Sequence, residues 1–146
     1  MNRPSLSSET LHASCVSRDG RAVLIAGRSG AGKSDLALRL IDRGAKLVSD
    51  DYTLVRRIDG RLVASAPGTI AGKMEVRGLG ILTLPTVSDQ QVSLFVDLDR
   101  DVDRLPAPDK TIRIAGVDVP AMAANGLEAS APIKIELALD QIGLRD

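Results

Sequence analysis

Aromatic residues are nearly missing from this chain. Tryptophan is absent, and Tyr52 and Phe95 stand alone, so the core must be aliphatic and there is no platform on which nucleobases could stack. A single cysteine, Cys15, excludes an internal disulfide and suits a reducing cytosol; it reads as a small buried apolar side chain. Neither charge sign dominates: 19 Lys and Arg balance 19 Asp and Glu, with no basic cluster to track a nucleic-acid backbone. No run approaches the roughly 18 continuous apolar residues that cross a bilayer. The polar start Met1-Asn2-Arg3-Pro4-Ser5 is no signal peptide, so the expected location is the cytoplasm, without membrane or nucleic-acid partners. At 146 residues the length predicts a single domain over 1–146, with residues 1–10 a loose lead-in. A protein substrate must then meet this one domain directly.

Glycine is concentrated where it counts. Residues 27–34 read Gly27-Arg28-Ser29-Gly30-Ala31-Gly32-Lys33-Ser34, a full match to the G-x-x-x-x-G-K-[ST] phosphate-binding loop. The apolar run Ala22-Val23-Leu24-Ile25-Ala26 leads in as a buried strand, and Asp35-Leu36-Ala37-Leu38-Arg39-Leu40-Ile41 leads out with leucines at helical spacing. Gly27, Gly30 and Gly32 are expected to take positive φ, turning successive N–H groups and a helix N-terminus onto phosphate oxygens. Lys33 supplies a cation to the β- and γ-phosphates, and the Ser34 hydroxyl suits Mg²⁺ held between them.

Around this loop the pattern predicts a strand near residues 11–16, a helix closed by Arg43-Gly44, and a strand over 45–49 that stops at Asp50-Asp51. Asp59-Gly60 between two β-rich runs is a two-residue hairpin signal, and a hairpin so early points to a mixed sheet. Residues 66–80 read as Gly-rich and irregular, followed by strands near 81–84 and 92–98. Residues 100–110 read as an exposed connection and 111–114 with 117–119 as a strand pair. Ser130-Ala131-Pro132 reads as the serine-capped start of a last helix, with Ile133, Glu136, Leu137, Asp140 and Ile142 at helical spacing. The fold class expected is α/β, a mixed sheet with flanking helices around the phosphate loop.

Asp50 and Asp51 are the leading candidates for chemistry. Two adjacent carboxylates beside a polyphosphate can divide the work, one steadying Mg²⁺ and the other accepting a proton from an attacking hydroxyl. Adjacent residues of an extended chain point to opposite faces, however. Glu75 and Arg77 alternate onto one side of their segment, where Glu75 could complete a metal site and Arg77 neutralise phosphoryl charge, or the two could form a surface ion pair. His12, the only histidine, reads by itself as a partly exposed polar residue at a strand start.

Taken together, His12, residues 27–34, Arg43-Gly44, Leu47-Val48-Ser49-Asp50-Asp51 and Glu75-Val76-Arg77-Gly78-Leu79-Gly80-Ile81 resemble the catalytic domain of HPr kinase/phosphorylase, over roughly residues 11–120. The resemblance implies a fold similar to phosphoenolpyruvate carboxykinase and an ATP- and Mg²⁺-dependent serine kinase acting on the phosphotransferase-system carrier HPr. It implies Lys33 at the β/γ-phosphates, Ser34 and Glu75 as Mg²⁺ ligands, Asp51 as proton acceptor, Asp50 supporting Asp51 or the metal, and His12 in the same network. Arg104, in Asp103-Arg104-Leu105, is similar to the family's later catalytic arginine.

Two departures qualify what is implied. The family's usual amino-terminal domain has no counterpart, as in short alphaproteobacterial versions. The Pro-x-x-Pro-Gly-Arg-Asn loop tied to dephosphorylation is replaced by Ala121-Met122-Ala123-Ala124-Asn125-Gly126, so the kinase reaction is expected in preference to its reversal. The family's hexamer-forming carboxyl-terminal helix is short or absent, which leaves the oligomeric state open. Two other readings stay open: a small-metabolite kinase whose lid is residues 100–110, and a nucleotide-sensing module without catalysis.

Overall fold

Period-2 alternation in two neighbouring strands sets the architecture. β2 (Ala13–Arg18) and β3 (Arg21–Ala26) pair antiparallel. Val16, Val23 and Ile25 turn to one face, and Cys15, Ala22 and Leu24 to the other. Both faces are apolar because both are covered. The computed structural model describes residues 7–100 and 110–145, a mixed α/β structure on a curled sheet of nine strands among the described residues.

The path through the sheet runs β1 (Ser8–Leu11), β5 (Thr53–Ile58), β6 (Arg61–Ser65), β9 (Gln90–Asp97), β3, β2, β4 (Lys46–Ser49). β10 (Thr111–Ile114) and β11 (Val117–Ala123) form a hairpin, and β11 then runs parallel to β9 from Ala121↔Phe95 to Ala123↔Asp97. β9 is also parallel to β3, from Arg21↔Gln91 to Ala26↔Asp97. This mixture of parallel and antiparallel pairs is what the early hairpin signal predicts, and that hairpin is present: Asp59 and Gly60 have φ of 52° and 77° between β5 and β6.

Several expectations change. The strand expected near 11–16 is two strands, and pairing already starts at Ser8, where β1 meets Arg56 of β5. Residues 66–80 are not irregular throughout. β7 (Lys73–Val76) and β8 (Gly80–Thr83) make a separate hairpin that turns at residues 77–79. The flanking helices α1 (Lys33–Asp42) and α2 (Ala131–Ile142) both lie on one side of the sheet. Leu36, Ala37 and Leu40 of α1 share one core with Ala131, Ile135 and Leu139 of α2, while the second core contains no helix residue and is built mainly from strands, among them Val55, Leu62, Ile114 and Val119. The curl of the sheet lets β5, β6, β10 and β11 supply the cover that a helix would otherwise provide. In this second core burial pushes the Cys15 thiol well above its usual range, the behaviour of an inert apolar side chain.

On α2 the buried stripe is Ala131, Pro132, Ile135, Glu136 and Leu139, and Ile133 and Leu137 point outward. Glu136 lies at the edge of that stripe and faces inward because Arg18 (2.9 Å) and Arg43 (2.7 Å) meet its carboxylate, while Ile133 and Leu137 fall on the opposite side of the helix. Ser130 starts the helix without a side-chain cap, its hydroxyl donating to Glu128 Oε2 instead (3.4 Å).

Candidate active site

Three chain segments converge where β3 and β9 end. After Ala26 the backbone crosses residues 27–32 and enters α1 at Lys33. Gly30 and Gly32 hold φ of 86° and 94°, Gly32 as the left-handed N-cap of α1, a conformation that costs other residues about 1–2 kcal/mol. Gly27 departs from expectation: it has no positive φ, and its role is spatial. A Cβ there would lie 3.0 Å from Ala31 Cβ and 3.1 Å from Leu98 Cβ.

The loop is braced from behind. Asp99, just past β9, accepts the Arg28 N–H with both carboxylate oxygens (3.2 and 3.0 Å), and its own N–H donates to Asp97 Oδ1 (2.9 Å). Gly126 presses on the other side, where a Cβ would fall 2.8 Å from Ala31 O. The Arg39 guanidinium holds that turn by donating to the carbonyls of Gly126 and Glu128. Lys33 is buried, with its ammonium donating to the carbonyls of Gly27 (2.7 Å) and Arg28 (3.2 Å). Arg28, Ser29 and Gly30 are exposed. Among the described residues the N–H groups of Gly30, Gly32, Lys33 and Ser34 donate to no backbone carbonyl. Open amides, a helix N-terminus and a confined cation together make an anion cradle.

The acidic pair sits beside it, just past β4. Asp50 is buried, and Asp51 takes φ of 67°, which throws its side chain outward. That turn settles how neighbouring carboxylates serve one site: a left-handed residue breaks the alternation an extended pair would show. Asp50 Oδ1 accepts from Ser34 Oγ (2.6 Å) and Ser14 Oγ (3.0 Å), and Oδ2 from the Glu75 N–H (3.3 Å). Asp51 Oδ1 meets His12 Nε2 at 2.9 Å, and the imidazole stacks on Tyr52 with centroids 5.0 Å apart. Asp50, Asp51, Tyr52, Lys73, Glu75 and Ile81 border an open cavity of about 270 Å³.

The structure therefore brings Lys33, Ser34, Asp50, Asp51, His12 and Glu75 to one side of the molecule. It does not bring Arg77 into the cavity lining; Arg77 is exposed at the turn after β7, and no ion pair links it to Glu75 among the described residues. Arg104 lies outside the described residues, as does most of the connection over 100–110. Ser14, Asp97, Asp99 and Gly126 were not singled out from sequence. The only signal for the two acids was their place at a strand's carboxyl end beside a glycine-rich loop.

The donor set suits a hard divalent cation. Ser34 Oγ and an Asp50 oxygen are already adjacent, the Glu75 carboxylate borders the same cavity, and all are oxygen ligands. Among the described residues no group of three or more His, Cys, Asp or Glu is arranged to enclose a metal. An open pair of this kind matches Mg²⁺, which keeps waters and shares substrate phosphates.

Comparison with known proteins points the same way. The family model for the HPr Serine kinase C-terminal domain matches residues 5–135. The HPr kinase/phosphorylase of Clostridium beijerinckii is 39% identical over 127 residues, 78% of this chain and 42% of that protein. That of Clostridium tetani is 47% identical over 113 residues, 68% of this chain and 37% of that protein. The chain thus spans about four tenths of the length of these curated relatives. The structure of the Hpr(Ser) kinase/phosphatase from Coxiella burnetii aligns with a TM-score of 0.78 at 30% identity, covering 91% of this chain and 95% of that one.

Proposed function

The chain belongs to the HPr serine kinase C-terminal domain family, and on that premise we propose that it is a phosphoenolpyruvate carboxykinase-like kinase domain. It transfers the γ-phosphoryl group of ATP to a serine of an HPr-like phosphocarrier in the cytoplasm. One observation carries the reading: a continuous hydrogen-bonded path from Ser34 through Asp50 and Ser14 to Asp51 and His12. It joins the place where a polyphosphate binds to a carboxylate at the mouth of the site.

Residues 27–34 act as the phosphate loop, with the amides of Gly30, Gly32, Lys33 and Ser34 and the Lys33 ammonium around the β- and γ-phosphates. Ser34 and Asp50, with Glu75, are the residues that hold Mg²⁺, which when bound neutralises phosphate charge. Asp51, half exposed beside His12, accepts the serine proton as the serine oxygen bonds to phosphorus and the β–γ bridging oxygen leaves on ADP. Arg104 is the cation assigned to the transferring group, and Arg77, exposed at the turn after β7, joins it only if the β7–β8 hairpin moves over the site. Catalysis is then mostly positioning and charge neutralisation.

Support for kinase action without the reverse reaction comes from β11. Residues 121–123, where the family's dephosphorylation loop has no counterpart, are strand paired with β9. The test is transfer of labelled γ-phosphate from ATP to purified HPr, followed by inorganic phosphate. Label should reach an HPr serine and survive phosphate. Lys33→Ala and Asp51→Asn should each lower transfer by roughly 100-fold or more with the domain still folded. ATP binding without any labelled HPr would instead make the chain a nucleotide-sensing module.

A further inference from the structure

Ser14 lies on β2, fully buried between Ala13 and Cys15. Burying a hydroxyl is unfavourable unless it is bonded, and this one uses both of its capacities on the acidic pair. It donates to Asp50 Oδ1 (3.0 Å) and accepts the Asp51 N–H (3.0 Å). Asp51 needs that acceptor. At φ of 67° it occupies a region worth about 1–3 kcal/mol of strain for a non-glycine residue, held only where its surroundings over-determine it. Among the described residues no other group accepts its N–H. Asp50, by contrast, keeps Ser34 and the Glu75 amide whatever happens at Ser14.

We propose that Ser14 is a positioning residue: its one hydroxyl sets the backbone of Asp51, and thereby the angle at which that carboxylate meets His12 and the acceptor serine. The proposal rests on the reading of Asp51 as proton acceptor. Loss of the hydroxyl leaves the phosphate loop, Lys33 and the Ser34–Asp50 contact in place, so it affects transfer and spares nucleotide binding.

The chain offers a probe that needs no activity, since His12 is its only histidine and gives one unambiguous set of imidazole signals. With full-length protein, the His12 ring ¹⁵N shifts at neutral pH should move in Ser14→Ala in the same direction as in Asp51→Asn. Ser14→Ala should also lower kcat for HPr phosphorylation roughly tenfold, about one hydrogen bond's worth, with the ATP Kd within twofold of wild type. The proposal is overturned if Asp51→Asn moves the His12 signals and Ser14→Ala does not, if neither moves them, or if the ATP Kd rises more than twofold as kcat falls. Absence of transfer in the wild type would remove the kinase reading alone, and the His12 shifts would still decide whether Ser14 places Asp51.

Discussion

At residues 27–34 the backbone is gripped by Asp99 at the Arg28 N–H, by Leu98 and Ala31 against Gly27, and by Gly126 against Ala31. Across the site the β7–β8 hairpin has Met74 as its one buried residue; Leu79 and Ile81 are 72% and 71% exposed. Among the described residues its hydrogen bond to another part of the chain is the Glu75 N–H to Asp50, while the Leu84 N–H to Gly72 O only extends its own ladder. On the kinase reading proposed above, the difference separates two needs of a phosphoryl-transfer site. Groups that meet phosphate gain most from being fixed beforehand, because no reorganisation is then needed as charge develops. Groups that meet a second macromolecule gain from a segment that opens at low free energy, which few buried contacts provide.

The comparison breaks most visibly at Gly126. Gly126→Ala puts a methyl within 2.8 Å of a backbone oxygen, which should cost about 1–3 kcal/mol of stability and weaken ATP binding in step. Denaturant midpoints and calorimetric titration read both. Next is Asp99→Ala, which strips the Arg28 N–H of its acceptor; the ATP Kd should rise roughly 5- to 30-fold, the equivalent of about 1–2 kcal/mol, while the fold survives.

These two positions also mark how far the sequence could be read. The glycine-rich turn over 27–34, the Asp59-Gly60 turn and α1 were legible because each signal is local: glycines, a turn pair, leucines at helical spacing. Asp99 and Gly126 act on the loop from 71 residues away in the first case and through bare backbone contact in the second, and no periodicity encodes either. Both helices lie on one face because the sheet curls, and Glu136 is buried at the edge of α2's apolar stripe because two arginines from distant segments meet it. The hairpin over 73–83 was hidden by its exposure: with one residue buried, its alternation is chemically faint.

The hairpin gives the contrasting outcome. Leu79→Ser with Ile81→Ser should change stability by less than about 0.5 kcal/mol, and amides of β7 and β8 should exchange faster than those of β3, as hydrogen exchange with mass spectrometry would show. The smallest effect belongs to Glu128, beside the turn that holds Gly126. Lys134, by hydrogen bond and then by charge, lowers the Glu128 pKa below its ordinary 4.5. A lowered folded-state pKa adds stability above the unfolded value and loses it as pH falls through the folded one. Glu128→Gln should therefore be slightly less stable near neutrality and indistinguishable from wild type in acid, checked by melts across pH.

β9 has a consequence for the order of events in synthesis. It pairs with β3 on one edge and with β6 and then β11 on the other, and it carries Asp97 and Asp99 to the loop. A ribosome releases residues 27–34 long before β9, so the nascent chain exposes the whole glycine-rich motif without its brace. Closing that distant pairing is slow by nature, and on the proposed reading nucleotide capture should switch on late, only once β9 has slotted between β3 and β6 and brought Asp99 against the loop.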